Sequence, residues 1–218
     1  MQLLRSIGWI FCVLYSTIPV FWLLIHPRAQ FWRSRPASPY KILLPVWIGM
    51  WAAVAAITAP WRGVTLYTSR WMWFPAAALF CAGLILYKLS HHNFTLAQLG
   101  GLPEVLRDHN HQRLITTGIR AHMRHPVYLG HLCQMFAWSV GTGLAVCWAL
   151  TALAIATGTI MIKLEDKELE KRFGEEYGRY RCAVPALLPR PKLWPAYLRG
   201  LSQRLSALKA FYLPNSHR

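Results

Sequence analysis

Residues 126–162 contain no Lys, Arg, Asp or Glu, and this uninterrupted apolar stretch limits what the chain can fold into. As a helix the stretch would measure about 55 Å at ~1.5 Å per residue, whereas the hydrocarbon core of a bilayer is roughly 30 Å thick. It therefore predicts two membrane spans that form a hairpin, with the turn at Gly141-Thr142-Gly143. Such a hairpin returns Glu165 to the membrane face at which Arg124 and His125 begin the first of the two helices.

Three more apolar stretches precede the hairpin, at residues 7–25, 42–59 and 71–87. The chain is 55% hydrophobic and only 15% charged, and its eleven Trp residues also favour a membrane protein over a soluble one. We therefore predict an all-α integral membrane bundle of five transmembrane helices. The last helix is expected to continue into water through Glu165 and Leu169 and to end at Phe173-Gly174, because glycine favours the position after a helix.

Apolar residues also recur at helical spacing in the tail: Trp194, Leu198, Leu201, Leu205, Leu208 and Tyr212. This pattern predicts an amphipathic helix on the membrane surface or, equally, an apolar stripe packed on the ends of the spans. The sequence thus divides into a three-span scaffold (residues 1–90), a core containing the hairpin (residues 91–190) and an amphipathic tail (residues 191–218).

Orientation follows from the distribution of basic residues. In the five-span arrangement 21 of the 24 Lys and Arg residues fall on one side, the side of the C-terminus and of His125. Cytoplasmic segments carry the excess of Lys and Arg, so the C-terminus is predicted to be cytoplasmic and the N-terminus to lie outside. We expect a multi-pass protein of a bacterial inner membrane, in contact with membrane lipids.

The formal net charge of +16 does not predict a nucleic-acid-binding protein, because the basic residues punctuate long apolar runs. The five cysteines show no paired spacing, so neither a disulfide framework nor a thiolate metal site is predicted. His91-His92 and His109-x-His111 resemble metal ligands in type, but no third ligand has a suitable spacing. We predict no metal.

Several motifs follow one another between residues 114 and 190. They are Leu114-Ile115-Thr116-Thr117-Gly118-Ile119-Arg120, Arg124-His125-Pro126-x-Tyr128-Leu129-Gly130, Glu165-Asp166-x-x-Leu169, Phe173-Gly174-x-x-Tyr177-x-x-Tyr180 and Val184-Pro185. Together they resemble the isoprenylcysteine carboxyl methyltransferase family, which is related to the phospholipid methyltransferases. These are integral membrane enzymes that use S-adenosylmethionine, so the resemblance implies a methyltransferase core at residues 91–190. Phe173, Tyr177 and Tyr180 are expected to serve packing and the membrane interface.

Carried over residue by residue, the resemblance implies a cofactor site for S-adenosylmethionine formed by His125, Tyr128, Leu129 and Glu165. A carboxylate and aromatic faces suit a cationic sulfonium, and a carboxylate also accepts hydrogen bonds from ribose hydroxyls. Arg124 and Glu165 are the predicted catalytic residues. They lie at the two ends of the hairpin.

The acceptor side departs from the family, because Met161 stands where the family often has Arg. Lys163 is turned about 200° from that position on a helix and does not replace the charge. We therefore predict an apolar acceptor pocket near Met161, in which Arg124 or Arg120 holds an acceptor carboxylate.

The leading functional hypothesis is methyl transfer to a lipophilic acceptor at the cytoplasmic membrane face, with a prenylcysteine-like carboxylate as the expected acceptor group. A carboxylate is already ionised at neutral pH and needs no general base. The first alternative is a membrane reductase similar to the sterol reductases, with a nicotinamide cofactor. Glu165 disfavours it, because those enzymes tend to have Arg after the last span. The second alternative is a non-catalytic membrane module.

Overall fold

A computed structural model describes residues 1–35, 38–91 and 113–189, and the regular elements in these ranges are helices. The α-helices are α1 (Gln2–Ile25), α2 (Ala29–Ser34), α3 (Tyr40–Thr58), α4 (Trp73–His91), α5 (Pro126–Thr142), α6 (Ala145–Phe173) and α7 (Glu175–Ala183). The predicted all-α class is confirmed. The sequence also predicts short interfacial turns at residues 95–99 and 104–107. These turns and the predicted amphipathic tail at residues 191–218 lie outside the described residues.

In the described part of the chain, four helical segments are long and apolar enough to cross a membrane: Gln2–Trp32, Tyr40–Trp61, Arg70–Ser90 and Ala145–Phe173. By length and composition the chain is thus a multi-pass membrane protein. Helix α5 has 17 residues, at the lower limit of the ~17 to 25 that a span requires, and is not among the four. The count of five spans stays a prediction.

Helices α5 and α6 form the predicted hairpin. Gly143 adopts a left-handed conformation (φ 65°) and its N–H donates to the Ser139 carbonyl at 3.0 Å, which closes the last turn of α5. Helix α6 begins two residues later. The two helices are antiparallel: the hydroxyl of Ser139 lies 2.9 Å from that of Thr151 near the turn, and the Tyr128 hydroxyl donates to the Ala154 carbonyl farther along.

The loop between α3 and α4 covers the tip of this hairpin. Its Leu66 N–H donates to the Gly143 carbonyl at 2.8 Å, and its Val64 carbonyl accepts from the Ala145 N–H at 3.0 Å. The Tyr67 hydroxyl donates to the Val140 carbonyl at 3.0 Å, so this side chain also satisfies a carbonyl at the end of α5. We did not predict this contact from the sequence.

Helix α1 packs into the angle between α5 and α6, and α4 runs beside α5. The largest buried cluster joins α1, α5 and α6 and consists of Cys12, Val13, Met135, Leu144, Val146, Cys147, Leu150 and Ala154. Helix α3 lies at the edge of this core, to which it adds the partly buried side chains of Val54 and Ala55. It is held to α1 by two indole N–H groups, those of Trp47 and Trp51, which donate to the Thr17 hydroxyl at 3.0 and 2.8 Å.

Helix α6 extends eleven residues beyond Ile162 and ends at Phe173, as predicted. Gly174 follows with φ 58° and reverses the chain into α7, where a positive φ favours glycine. Helix α7 packs back against the polar end of α6. The result is a polar assembly at the end of the bundle opposite the hairpin tip.

Candidate functional site

The site begins at the two residues that precede α5. The backbone N–H groups of Arg124 and His125 donate to the carbonyls of Pro185 and Ala186, both at 2.9 Å. These bonds place the segment after α7 beside the start of α5. Pro126 then occupies the first position of α5, where the missing N–H of proline leaves no helical hydrogen bond unmade.

The imidazole of His125 lies between two carboxylates of α6. Its Nδ1 is 3.3 Å from Glu165 Oε2, and its Nε2 is 3.3 Å from Asp166 Oδ1. Burial lowers the pKa of His125, but the charge of Glu165 and the hydrogen bonds to Asp166 and Glu165 outweigh burial and raise the pKa to about 9. His125 is therefore an imidazolium at neutral pH, and both ring nitrogens donate. The structure brings His125 and Glu165 together, as the hairpin predicts.

Asp166 is the centre of this network, although nothing in the residue pattern ranks it above Glu165. Arg124 Nη2 is 2.7 Å from Asp166 Oδ2, and the Tyr177 hydroxyl donates to Asp166 Oδ1. Burial and this hydrogen bond raise the pKa of Tyr177. Tyr177 is 1% exposed, so it packs as predicted, but its hydroxyl also anchors α7 to α6.

Arg124 finds partners inside the protein for most of its N–H groups. Besides the pair with Asp166, its Nη1 donates to the carbonyls of Val184 and Arg181, the latter at 3.2 Å. Its side chain is only 9% exposed. These contacts close the C-terminal end of α7, which leaves the predicted binding of an acceptor carboxylate by Arg124 without support from the geometry. Arg120 is half-buried, and its Nη1 donates to the Arg124 carbonyl at 3.2 Å.

The other predicted residues fall on two sides of α5. Tyr128 and Met161 are both buried and belong to one apolar cluster where α5 and α6 cross. Leu129 packs instead with the cluster of Leu86, Ile119 and Met123 on the side of α4. Predicted cofactor residues thus line both sides of the α5 helix start.

The crossing of α5 and α6 depends on a glycine. A Cβ at Gly158 would overlap the phenol oxygen of Tyr128, whose hydroxyl donates to the Ala154 carbonyl one turn earlier. Gly158 therefore leaves room for the phenol end of Tyr128 against α6. Tyr128 is held there beside Met161.

The phospholipid methyltransferase family matches residues 76–176, from α4 to the start of α7. Protein-S-isoprenylcysteine O-methyltransferase B of Arabidopsis thaliana is 35% identical over 89 residues, which are 38% of this chain and 43% of that protein. The human protein-S-isoprenylcysteine O-methyltransferase is 35% identical over 82 residues, 35% of this chain and 27% of the relative. The predicted resemblance to the isoprenylcysteine carboxyl methyltransferase family is confirmed over this part of the chain.

This chain is also similar to methanethiol S-methyltransferase 1 of Bradyrhizobium diazoefficiens. It is 38% identical over 68 residues, 31% of this chain and 23% of that protein. The chain thus spans less than half the length of each of these relatives. No solved structure matches it significantly.

The site fits the cofactor that the family implies. Asp166 is enclosed by protein groups, whereas the Glu165 side chain is 27% exposed and so remains open on one side. A partly open carboxylate one helical turn from the cluster that contains Tyr128 and Met161 suits a sulfonium cation or ribose hydroxyls. Among the described residues no group of three or more His, Cys, Asp and Glu side chains is arranged to hold a metal ion.

Proposed function

We propose that this chain is an S-adenosylmethionine-dependent methyltransferase that modifies a lipophilic acceptor at one face of a membrane. The observation that carries the proposal is the His125–Glu165 pair at 3.3 Å, formed across the α5–α6 hairpin within the part that matches the phospholipid methyltransferase family. A chain with long apolar helices and a polar site at their ends suits an acceptor that is dissolved in lipid.

The cofactor supplies an electrophilic methyl group when it is bound. We assign its binding to His125, Tyr128, Leu129 and Glu165. Glu165 offers its open side to the cationic part of the cofactor. His125, as an imidazolium between two carboxylates, keeps the Glu165 carboxylate ionised and correctly turned.

For Arg124 the contacts favour a positioning role. Its guanidinium fixes the Asp166 carboxylate, and Asp166 in turn orients His125. Glu165 is then the catalytic residue that faces the reacting groups. A preorganised carboxylate of this kind lowers the barrier without reorganisation during the reaction.

The acceptor is expected to enter sideways from lipid into an apolar acceptor site near Met161, which is buried in one cluster with Tyr128 and Ile162. A carboxylate acceptor such as a prenylcysteine-like group would need alignment and exclusion of water rather than a base. Arg120 is the basic residue we assign to such a carboxylate. The relatives' names indicate oxygen and sulfur as methyl-accepting atoms in those proteins.

The arrangement in the membrane that we propose has five spans, with α5 as the short fourth one. The basic residues, 21 of 24 on one side, place the C-terminus and the His125 site in the cytoplasm and the N-terminus outside. The membrane would be the inner membrane of a bacterium.

Calorimetry in detergent with S-adenosylhomocysteine tests the proposal. We expect His125→Ala and Glu165→Gln each to weaken binding by roughly 10- to 150-fold, because a hydrogen bond to a charged group is worth about 1.5 to 3 kcal/mol. Glu170→Gln is the matched control, since Glu170 lies on the same helix but is exposed and pairs with Arg181 at 2.9 Å.

Two outcomes would contradict the proposal. Binding of NADPH together with indifference to S-adenosylhomocysteine would favour the reductase hypothesis, which the comparisons do not support. Unchanged affinity in both the His125 and Glu165 variants would remove these residues from the cofactor site.

A further inference from the structure

A second polar cluster lies on α6 beyond Glu165. Glu165, Glu168 and Arg172 follow one another at helical spacings of three and four residues, so they share one face of the helix. The short helical turn His26–Arg28, which follows α1, packs against this face. The charges of Glu165, Glu168 and Arg172 all act on the His26 imidazole.

His26 is buried but incompletely bonded. It is 6% exposed, and its ring stacks on that of Trp22 with centroids 5.1 Å apart. Within the described ranges, no hydrogen-bonding group reaches its Nδ1. A buried polar atom without a partner is costly, and in a native protein it calls for a ligand, an ion or a water.

Arg172 shows the same deficit. Its Nε and Nη1 are buried, yet neither has a hydrogen-bond partner in the part of the chain that the structure describes. The nearest carboxylate oxygen, on Glu168, is 3.9 Å from Nη1, and the guanidinium lies 5.1 Å from the centroid of the Phe173 ring. Arg124, in contrast, is held by a carboxylate and two carbonyls. Arg172 therefore has buried N–H donors that no group in the described residues accepts from.

The mixture of charges selects the ligand. Arg172 attracts an anionic group, and Nδ1 of His26 can form a hydrogen bond with it, but Glu165 and Glu168 beside them would repel a simple anion. A zwitterion, which carries a carboxylate next to an ammonium, satisfies both kinds of side chain. Such a zwitterion is the amino-acid end of S-adenosylmethionine, which three carbon atoms join to the sulfonium.

We propose that Arg172 and His26 bind the carboxylate of this amino-acid end and that Glu168 faces its ammonium. The inference rests on the proposed function and adds to it a subsite for the amino-acid arm of the cofactor. The direction along α6 agrees, because helical side chains lean toward the N-terminus and Arg172 therefore covers the turn that holds Glu168 and approaches Glu165. In this subsite the residue that follows α1, His26, also contributes to cofactor binding.

Calorimetry of the full-length protein in detergent with two compounds tests the subsite. S-Adenosylhomocysteine has the amino-acid arm, whereas 5′-methylthioadenosine shares its adenosine and sulfur but lacks the arm. We expect Arg172→Gln to weaken the binding of S-adenosylhomocysteine by about tenfold or more and to change the affinity for 5′-methylthioadenosine by less than about twofold. His26→Phe keeps a ring against Trp22 and should have the same selective effect, so it serves if the Arg172 variant does not fold. Lys171→Gln, which removes an exposed positive charge one residue away, is the control.

Several results would overturn the inference. Equal weakening of both compounds would indicate a general structural role, and no weakening of either would place the amino-acid arm elsewhere. Unchanged binding of both compounds with a raised KM for the acceptor would assign Arg172 to the acceptor's carboxylate instead. A wild-type protein that binds neither compound would overturn the proposed function and the subsite with it. Wild-type binding that Arg172→Gln leaves unaltered would overturn only the subsite.

Discussion

Asp166→Asn should destabilise the fold strongly, because Asp166 balances a buried positive charge. The side chains of Asp166 and Arg124 are 11% and 9% exposed, and their closest atoms are 2.7 Å apart. Removing one partner of a buried ion pair costs about 3 to 5 kcal/mol, since the other charge remains uncompensated. Arg124 keeps its bonds to the carbonyls of Arg181 and Val184, so we expect a value near the lower end, about 3 kcal/mol.

The assay is denaturant unfolding in micelles, with Glu170→Gln as the matched variant. That substitution also converts an ion-paired carboxylate of α6 to an amide, but the Glu170–Arg181 pair is 45% and 42% exposed. Exposed pairs contribute about 0 to 1 kcal/mol, so the two variants should differ by roughly 2 kcal/mol or more in their free energies of unfolding. Equal losses in the two variants would refute the view that Asp166 neutralises a buried guanidinium.

Three further predictions concern other parts of the chain. Because the pKa of His125 is raised from 6.5 to about 9 in the folded state, its contribution to stability is complete below pH 6.5 and is lost as the pH rises through 9. Unfolding midpoints of the wild type should therefore fall over this interval more than those of His125→Gln. Gly158→Ala should lower the free energy of unfolding by about 1 to 3 kcal/mol through the clash with Tyr128. Gly49→Ala, with open space around it, should not lower it. A Gly158→Ala variant as stable as the wild type would contradict the observed helix crossing. Reporter fusions at the C-terminus and within residues 61–70 should lie on opposite sides of the membrane, and the same side for both would exclude five spans.

The helical hairpin could be predicted because lipid imposes a simple rule on the sequence. Charged side chains are costly in hydrocarbon, so the charge-free residues 126–162 delimit the buried part, and glycine marks the turn. The turn lies at Gly143 and Leu144, within two residues of the predicted position. The end of α6 at Phe173 followed equally from the glycine after it.

The proximity of His125 and Glu165 followed from the same hairpin, but the partners of Arg124 did not. They belong to the segment after α7, and the hydrogen bonds of residues 124 and 125 to Pro185 and Ala186 join backbone groups. Backbone pairing between distant segments leaves no periodic trace in side-chain types. The role of Asp166 was not predicted for a related reason. The sequence does not show which of two adjacent acidic residues on a helix faces the protein interior.

His26 shows a third reason. A histidine just after an apolar span is indistinguishable in the sequence from an interfacial residue. Only the packing of its helical turn against α6 shows that it faces Glu165, Glu168 and Arg172. Contacts between sequentially remote helices must be seen in three dimensions.

The loop over the hairpin tip acts as a stop against sliding of one helix past the other. A displacement of α6 by one residue would turn it by about 100° and advance it by ~1.5 Å, enough to carry Glu165 away from His125. The bonds of Val64 and Leu66 to Ala145 and Gly143 use backbone atoms, so many side chains are compatible with them. The length of this loop, more than its composition, thereby sets the alignment of His125 with Glu165 about 25 Å away, at the opposite end of the 17-residue helix α5.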